Sequence, residues 1–217
     1  VLGVDLGVNE IAVTSTARFF SGRKLRHTLR EFEKVRAGLQ QTGTRSAHRT
    51  LQAASGRQLR HLRERMHEVS NGIVAEAVAH DCDTIVFERL SGIRERTDGA
   101  WGHEWAFAVL YDQVEYKAEV AGITVRQVDP AHTSTRCCEC GSTADENRPA
   151  RAVFQCRECG SEANADYNAA KNVGLRCVRR DQQSSRRTGD SRLALKSGTV
   201  TPSGEFVPHP EGSEAEF

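Results

Sequence analysis

The chain has 217 residues, a net charge of +1, a hydrophobic fraction of 38% and a charged fraction of 27%. That is enough to bury a core as one large domain or as a domain with a small module. No apolar run approaches the length of a membrane span, and the N-terminus opens on the strand-like VLGVDLGV with no signal peptide. The chain begins with Val rather than Met, which reads as a cropped version of something longer.

The near-zero net charge hides segregation. Residues 18–68 hold 13 Lys or Arg against 4 Asp or Glu, together with four histidines, whereas residues 69–130 hold 5 against 11. The basic segment is either a surface for a polyanion or a solvated helical face.

In chain order, residues 1–16 read as a buried strand, a tight turn near Gly7 to Asn9, and a second strand. Asp5 falls inside the apolar run, where a carboxylate is costly unless it binds a cation or is otherwise paired, for instance with the turn that follows. ARFFSGRK, residues 17–24, reads as a short third strand ending at Ser21-Gly22. A basic helix from Leu25 stops at Gly43, and a second runs from about Ala47 to Ala54. From Arg57 a long amphipathic helix carries Leu62, Met66, Val69, Ile73 and Ala77 on one stripe and ends near His80-Asp81.

DTIVFERL, residues 83–90, reads as an apolar strand with Glu88 at its C-terminal end, the edge at which ligands gather in open α/β sheets. Pairing of Glu88 with Arg89 is the plainer alternative. A loop is expected over 91–103, then a helix over 104–121 with Phe107, Leu110, Val114 and Ala118 buried and Trp105 and Tyr116 as packing residues. GITVRQVDP, residues 122–130, reads as a further strand ended by Pro130.

Residues 133–172 carry the strongest signal. Cys137 and Cys140 form one C-x-x-C pair and Cys156 and Cys159 another, with fifteen residues between the pairs. This is the spacing of a zinc ribbon, and four thiolates close a tetrahedral structural site with no open position. Gly141 and Gly160 supply backbone freedom just after each knuckle. Cys82, Cys138 and Cys177 are left over, and seven cysteines used this way fit a reducing compartment, here the cytoplasm. Asp166 follows Cys159 by seven residues, at or near the start of a helix over 165–176, either as a plain cap or as part of a site that the ribbon positions. Beyond about Arg180 the Ser-, Gly- and Pro-rich run shows no sustained periodicity, and 181–217 reads as a disordered tail.

Three carboxylates at an early strand, a later strand end and a helix start suit hard divalent cations. The motifs that carry them, GVDLGVNEIAV, TIVFERL and EANADYNAAKN, together with TSTRCCECG, FQCRECG and VEYKAEVAGITVRQVDPAHTS, closely resemble those of the TnpB family, the OrfB-type transposases. In that family Asp more often stands where Arg89 follows Glu88 here. The resemblance covers about residues 1–180.

It implies an α/β, RNase H-like (RuvC) mixed sheet flanked by helices, with an inserted zinc ribbon. The core is expected over 1–135 with a basic helical insertion at about 25–80, the ribbon over 136–162 and a closing helix over 163–180. It also implies an RNA-guided DNA endonuclease related to the type V CRISPR nucleases. Asp5, Glu88 and Asp166 would hold magnesium or manganese for two-metal phosphodiester hydrolysis, zinc would be structural, and the partners would be DNA and a guide RNA made from the transposon end. In the family an RNA-gripping lobe precedes the first motif; this sequence opens on that motif. The alternative is therefore a truncated, non-cleaving nucleic-acid-binding remnant.

Overall fold

The computed structural model describes residues 1–89, 101–183, 191–196 and 198–208, the stretch 101–105 by its backbone only. Five strands form one mixed sheet: β1 (Leu2–Leu6), β2 (Glu10–Thr14), β3 (Phe19–Ser21), β4 (Thr84–Glu88) and β5 (Thr124–Val128), in the spatial order β3-β2-β1-β4-β5. The first three run antiparallel, and β1, β4 and β5 run parallel. The helices are α1 (Arg23–Thr42), α2 (Arg45–Ala79), α3 (Trp101–Val120) and α4 (Ala165–Gln183).

Side chains alternate between faces along a strand, and both faces of this sheet are covered. Leu2, Val4, Ile85 and Phe87 pack with Leu62, Met66, Ile73, Leu110 and Val114 of α2 and α3. On the other face Val86 and Val128 pack with Val173 and Cys177 of α4. Gly3 lies on this second face, directly under α4. A Cβ there would stand 2.2 Å from the Ala170 carbonyl oxygen and 2.7 Å from the Gly174 nitrogen. The helix backbone therefore rests on the strand backbone, and only glycine admits that approach.

The basic segment is a helical hairpin. Gly43, with φ of 64°, turns α1 into α2, and the Thr44 hydroxyl accepts from the Ala47 amide to cap the second helix. The expected break near Ser55-Gly56 is absent: α2 runs unbroken for 35 residues. One glycine inside a helix costs only about 1 kcal/mol, and the flanking turns bury Ala54 and Leu62 on the same stripe.

Three further expectations are corrected. Helix α3 begins at Trp101, so the expected loop loses its last residues; its remainder, 91–100, lies outside the described residues, as does Leu90 at the end of the expected strand. Tyr116 is 48% exposed rather than a packing residue, and the Trp105 side chain lies outside what is described. The tail is not structureless where it is described. Helix α4 continues to Gln183, and the strands β8 (Gly198–Val200) and β9 (Phe206–Pro208) pair as a hairpin. Leu193 packs on Gly174, Val200 is buried against Val13, Tyr167 and Ala170, and the Ala194 amide donates to the Val1 carbonyl at 2.7 Å. A few apolar side chains spaced through a polar run suffice to cover the back of α4, which a search for periodicity does not detect.

Candidate functional site

The cysteines form two matching knuckles. The Gly141 amide donates to the Cys137 carbonyl at 3.0 Å and the Gly160 amide to the Cys156 carbonyl at 3.1 Å. The Cys137 and Cys156 amides each donate at 2.8 Å to the carbonyl of the serine that follows that glycine. Both glycines have φ above 70°, which a side chain resists. The short strands β6 (Val153–Gln155) and β7 (Glu162–Asn164) bracket the second knuckle as a hairpin.

The four ligand atoms lie within 4.8 Å of one another, with Sγ–Sγ distances of 3.7 Å for Cys137–Cys159 and 3.6 Å for Cys140–Cys156. A tetrahedron with Zn–S bonds of about 2.3 Å separates its sulfurs by about 3.8 Å, so the donor set fits zinc. Burial pushes the Cys137 thiol up to about 12. For Cys156 burial acts in the same direction, but the backbone amides of Cys159 and Glu158 outweigh it and bring the thiol down to about 7. Cys138 stays out of the cluster; it is buried, and its amide donates to Asn168 Oδ1.

The carboxylates are brought together by the sheet. Leu2, Gly3 and Val4 of β1 pair in register with Ile85, Val86 and Phe87 of β4. One residue further along each strand stand Asp5 and Glu88, on the α4 side and at the C-terminal edge of the parallel pair. Asp166 arrives from above. It is the second residue of α4, whose N-terminus is capped by Asn164: its Oδ1 accepts from the Asp166 and Tyr167 amides at 3.0 and 3.1 Å. The cap is thus Asn164, and the Asp166 carboxylate is left to point away from the helix. From the Gly3–Gly174 contact, α4 runs back eight residues, about 12 Å, to set Asp166 over that edge.

Asp5, Glu88 and Asp166 all line one cavity of about 320 Å³. Its wall also includes the β1–β2 turn at Val8 and Asn9, Thr133, and the ribbon arginines Arg148 and Arg151. Arg26 of α1 holds that turn, donating to the Val8 carbonyl at 3.0 Å and to Asn9 Oδ1. Thr133 Oγ1 donates to Glu88 Oε2 at 3.2 Å. Arg148 donates to Asp166 Oδ1 at 3.4 Å and to the Arg151 carbonyl at 2.9 Å.

Burial, then Glu88 and then Asp166 hold the Asp5 carboxyl well above the usual carboxylate range, against the opposing pull of Arg148. Burial likewise raises Asp166, opposed by Arg148 and Arg151. Glu10 of β2 is raised by burial and by Asp166, so a fourth acid feels the same field. The site therefore carries excess negative charge in a partly dry space. Hard oxygen donors in such a field suit a divalent cation. The carboxylates are more spread than the sulfurs. Among the described residues, only the four cysteines have donor atoms gathered within that shorter limit.

The roles of Arg148, Arg151, Thr133 and Glu10 do not follow from the sequence. The two arginines sit in the ribbon run ENRPARAVF, whose spacing carries no periodic signal.

A family model described as the Cas12f1-like TNB domain matches residues 107–173. The CRISPR-associated endodeoxyribonuclease Cas12f1 of Sulfoacidibacillus thermotolerans is 37% identical over 192 residues, covering 81% of this chain and 45% of that protein. The TnpB-like protein MJ0751 of Methanocaldococcus jannaschii is 32% identical over 99 residues, covering 43% of this chain and 35% of that protein. The solved Cas12f1-sgRNA-target DNA complex has the same fold, with a TM-score of 0.66 at 21% identity over 80% of this chain and 49% of that one. This chain spans less than half the length of these relatives. The two cysteine knuckles, the mixed sheet and these matches agree: the chain belongs to the TnpB-type family.

Proposed function

We propose that this chain is the cutting portion of an RNA-guided DNA endonuclease borne by a mobile element and acting in the cytoplasm. In this reading residues 1–135 are an RNase H-like (RuvC) core with a basic helical insertion at about 25–80, residues 136–162 a zinc ribbon, and residues 163–180 the closing helix. The observation that carries it is the meeting of Asp5, Glu88 and Asp166 in one cavity at the C-terminal edge of β1 and β4. The Cas12f1 relatives are named endodeoxyribonucleases, and the aligned structure is a complex with sgRNA and target DNA.

Asp5, Glu88 and Asp166 hold the divalent ions. Magnesium or manganese, when bound, supplies an activated water and neutralises charge at the leaving oxygen. Thr133 fixes the orientation of Glu88 through its hydroxyl. Arg148 reaches from the ribbon to Asp166 and presents its guanidinium to a phosphate entering the cavity, where it offsets the negative charge. Cys137, Cys140, Cys156 and Cys159 clamp zinc, which keeps Arg148 and Arg151 at the cavity wall. The exposed arginines of α1 and α2 contact RNA or DNA backbone, through an attraction that weakens as salt rises. The guide RNA derives from the transposon end.

The test is cleavage of labelled DNA by the full chain with manganese and its RNA, wild type against Asp166→Asn. The reading expects the rate to fall by at least about 100-fold, the scale of losing a major source of charge stabilisation; equal rates remove Asp166 from the mechanism. The alternative outcome is a non-cleaving, nucleic-acid-binding remnant. Oligonucleotide binding in which neither wild type nor variant ever cuts would select that reading.

A further inference from the structure

Helix α4 does not cover its face of the sheet alone. It lies mainly over β1, and the sheet continues past it to β2 and β3. That flank is covered by the C-terminal segment formed by 191–196 and 198–208. Within it β8 lies beside β7, and Val200 and Phe206 pack with Val13, Phe19, Tyr167 and Ala170. Val13 of β2 stands opposite Asp5 of β1 in register, so the two side chains share the α4 face. Tyr167 follows Asp166 in the first turn of α4. One apolar contact therefore joins the immediate neighbours of two acids that are far apart in sequence.

The segment is tied down at both ends. The Ala194 amide donates to the Val1 carbonyl at 2.7 Å, and the Ala194 carbonyl accepts from Ser15 Oγ at 2.8 Å. Ser15 Oγ in turn accepts from the Gly3 amide at 3.2 Å, so a buried hydroxyl links the segment to the residue on which α4 rests. Leu193 lies against Gly174 at that same contact. At the other end the β8–β9 turn closes on itself. The Gly204 amide donates to the Thr201 carbonyl and the Thr201 amide to the Glu205 carbonyl, both at 2.8 Å. Lys196 Nζ stands 4.2 Å from the centroid of the Phe206 ring. Tyr167 is also held from the ribbon: Lys171 Nζ lies 4.9 Å from its ring centroid and donates to Glu139 at 3.0 Å. The start of α4 is thus gripped both by the ribbon and by this segment. Among the described residues, none of the segment lines the carboxylate cavity, so it acts through Val13 and Tyr167 and not by touching a bound ion.

We propose that this C-terminal segment is a brace for the carboxylate site, with Val200 as its positioning residue. Pressed against Val13 and Tyr167, Val200 sets the spacing of Asp166 from Asp5 and thereby the affinity for a divalent cation. The proposal rests on the cation-binding reading of those acids only for the identity of the ligand. Close-packed side chains have no slack and pass small displacements on to their neighbours. Asp166 is one residue from the contact, and Asp5 is directly across the ladder from it. A misplacement of about 1 Å in such a site costs on the order of 100-fold in rate, so a modest loosening of the brace is enough to be read in metal affinity.

The test pairs two measurements on the zinc-loaded full chain: calorimetric titration with manganese, and hydrogen exchange of the Asp166 and Tyr167 amides without manganese. Val200→Ala is compared with Val69→Ala, which removes the same atoms from α2 on the opposite face of the sheet and so controls for lost stability. Val200→Ala is expected to weaken manganese binding at least about threefold and to speed exchange of the two amides at least about tenfold beyond Val69→Ala. Val69→Ala should bind manganese within about twofold of wild type. Val200→Ile, which keeps the apolar cover, should return both values towards wild type. If Val200→Ala fails to fold, Phe206→Ala, at a half-buried position on β9, is expected to show the same pattern to a smaller extent. Equal manganese affinity and exchange in Val200→Ala and Val69→Ala overturn the proposal, as does faster exchange with manganese affinity unchanged. The exchange contrast in a chain that binds no manganese supports the brace while refuting the cation reading. Manganese binding that Val200→Ala leaves untouched does the reverse.

Discussion

Across the ribbon, the sulfurs of Cys137 and Cys159 stand 3.7 Å apart; at the sheet edge, Asp5, Glu88 and Asp166 face one another across about 320 Å³. The two centres are assembled by different physics. The cysteines come from a span of 23 residues, and each pair is shaped by its own turn, so the ribbon needs little beyond local geometry and a metal. The carboxylates come from positions 5, 88 and 166. They meet only because β1 and β4 run parallel in register and α4 rests on Gly3. The compact centre has no room for a substrate, as a structural metal requires. The open one keeps a volume, an excess of negative charge and two arginines at its wall, which is what a site receiving a phosphodiester needs.

The largest contrast should appear on metal removal. A zinc chelator is expected to cost the ribbon on the order of 10 kcal/mol of folding free energy and to open the bonds after Arg151 and Arg157 to trypsin, whereas the bond after Arg148 precedes Pro149 and stays resistant. The sheet should keep its circular dichroism signal. Loss of the whole fold would mean that the ribbon is not the local unit described. Because zinc binds thiolates, the chelator concentration needed should fall as pH falls.

Next in size is Gly3→Ala. The added methyl meets backbone atoms of α4 at 2.2 and 2.7 Å, so the helix must move. A loss of about 1–3 kcal/mol in chemical denaturation is expected, together with weaker cleavage, because the same helix carries Asp166. In Gly174→Ala the nearest atom is Leu193 Cδ1 at 2.2 Å, a side chain that can shift. A milder effect on cleavage is expected there, and equal effects in the two variants would contradict the account of how Asp166 is positioned.

The smallest expected effect has the opposite sign. The folded-state pKa of Asp5 is raised above the ordinary value of 3.8 by burial and by its acidic neighbours. Between that value and the raised one, the folded chain holds a proton that the unfolded chain has lost. Stability therefore falls as pH rises through this window, and above it the full penalty persists. Asp5→Asn should accordingly stabilise the chain at pH above the raised Asp5 value, without added divalent ions, by about 2–4 °C if the relief is about 1 kcal/mol. The gain should vanish as pH falls back through the raised value and reverse when manganese is added. A destabilised variant without divalent ions would show that the acidic field is not what limits stability there.

Much of this contrast is legible in the sequence, for the same physical reasons. A C-x-x-C pair announces itself by spacing alone, and Asp5 stands out because a charge interrupts an apolar strand. Glu88 at a strand end and Asp166 near a helix start follow from local patterns. Other features depend on what lies across space. Arg148 acts on Asp166 only because the ribbon folds back over α4. Asn164 rather than Asp166 caps the helix, a choice that two nearby capping residues leave open. Helix α2 passes through Gly56 because the buried stripe on both sides outweighs a single glycine. The hairpin at 198–208 depends on Val200 and Phe206 finding a surface made by Val13 and Tyr167.

The claim on which the rest stands is that Asp5, Glu88 and Asp166 form one cation-binding centre separate from the cysteines. Calorimetric titration of the zinc-loaded chain with manganese tests it most directly. The account predicts carboxylate-dependent binding that Asp5→Asn, Glu88→Gln and Asp166→Asn each weaken at least tenfold while zinc content stays constant. Binding that is absent in the wild type, or unchanged in all three variants, would contradict it.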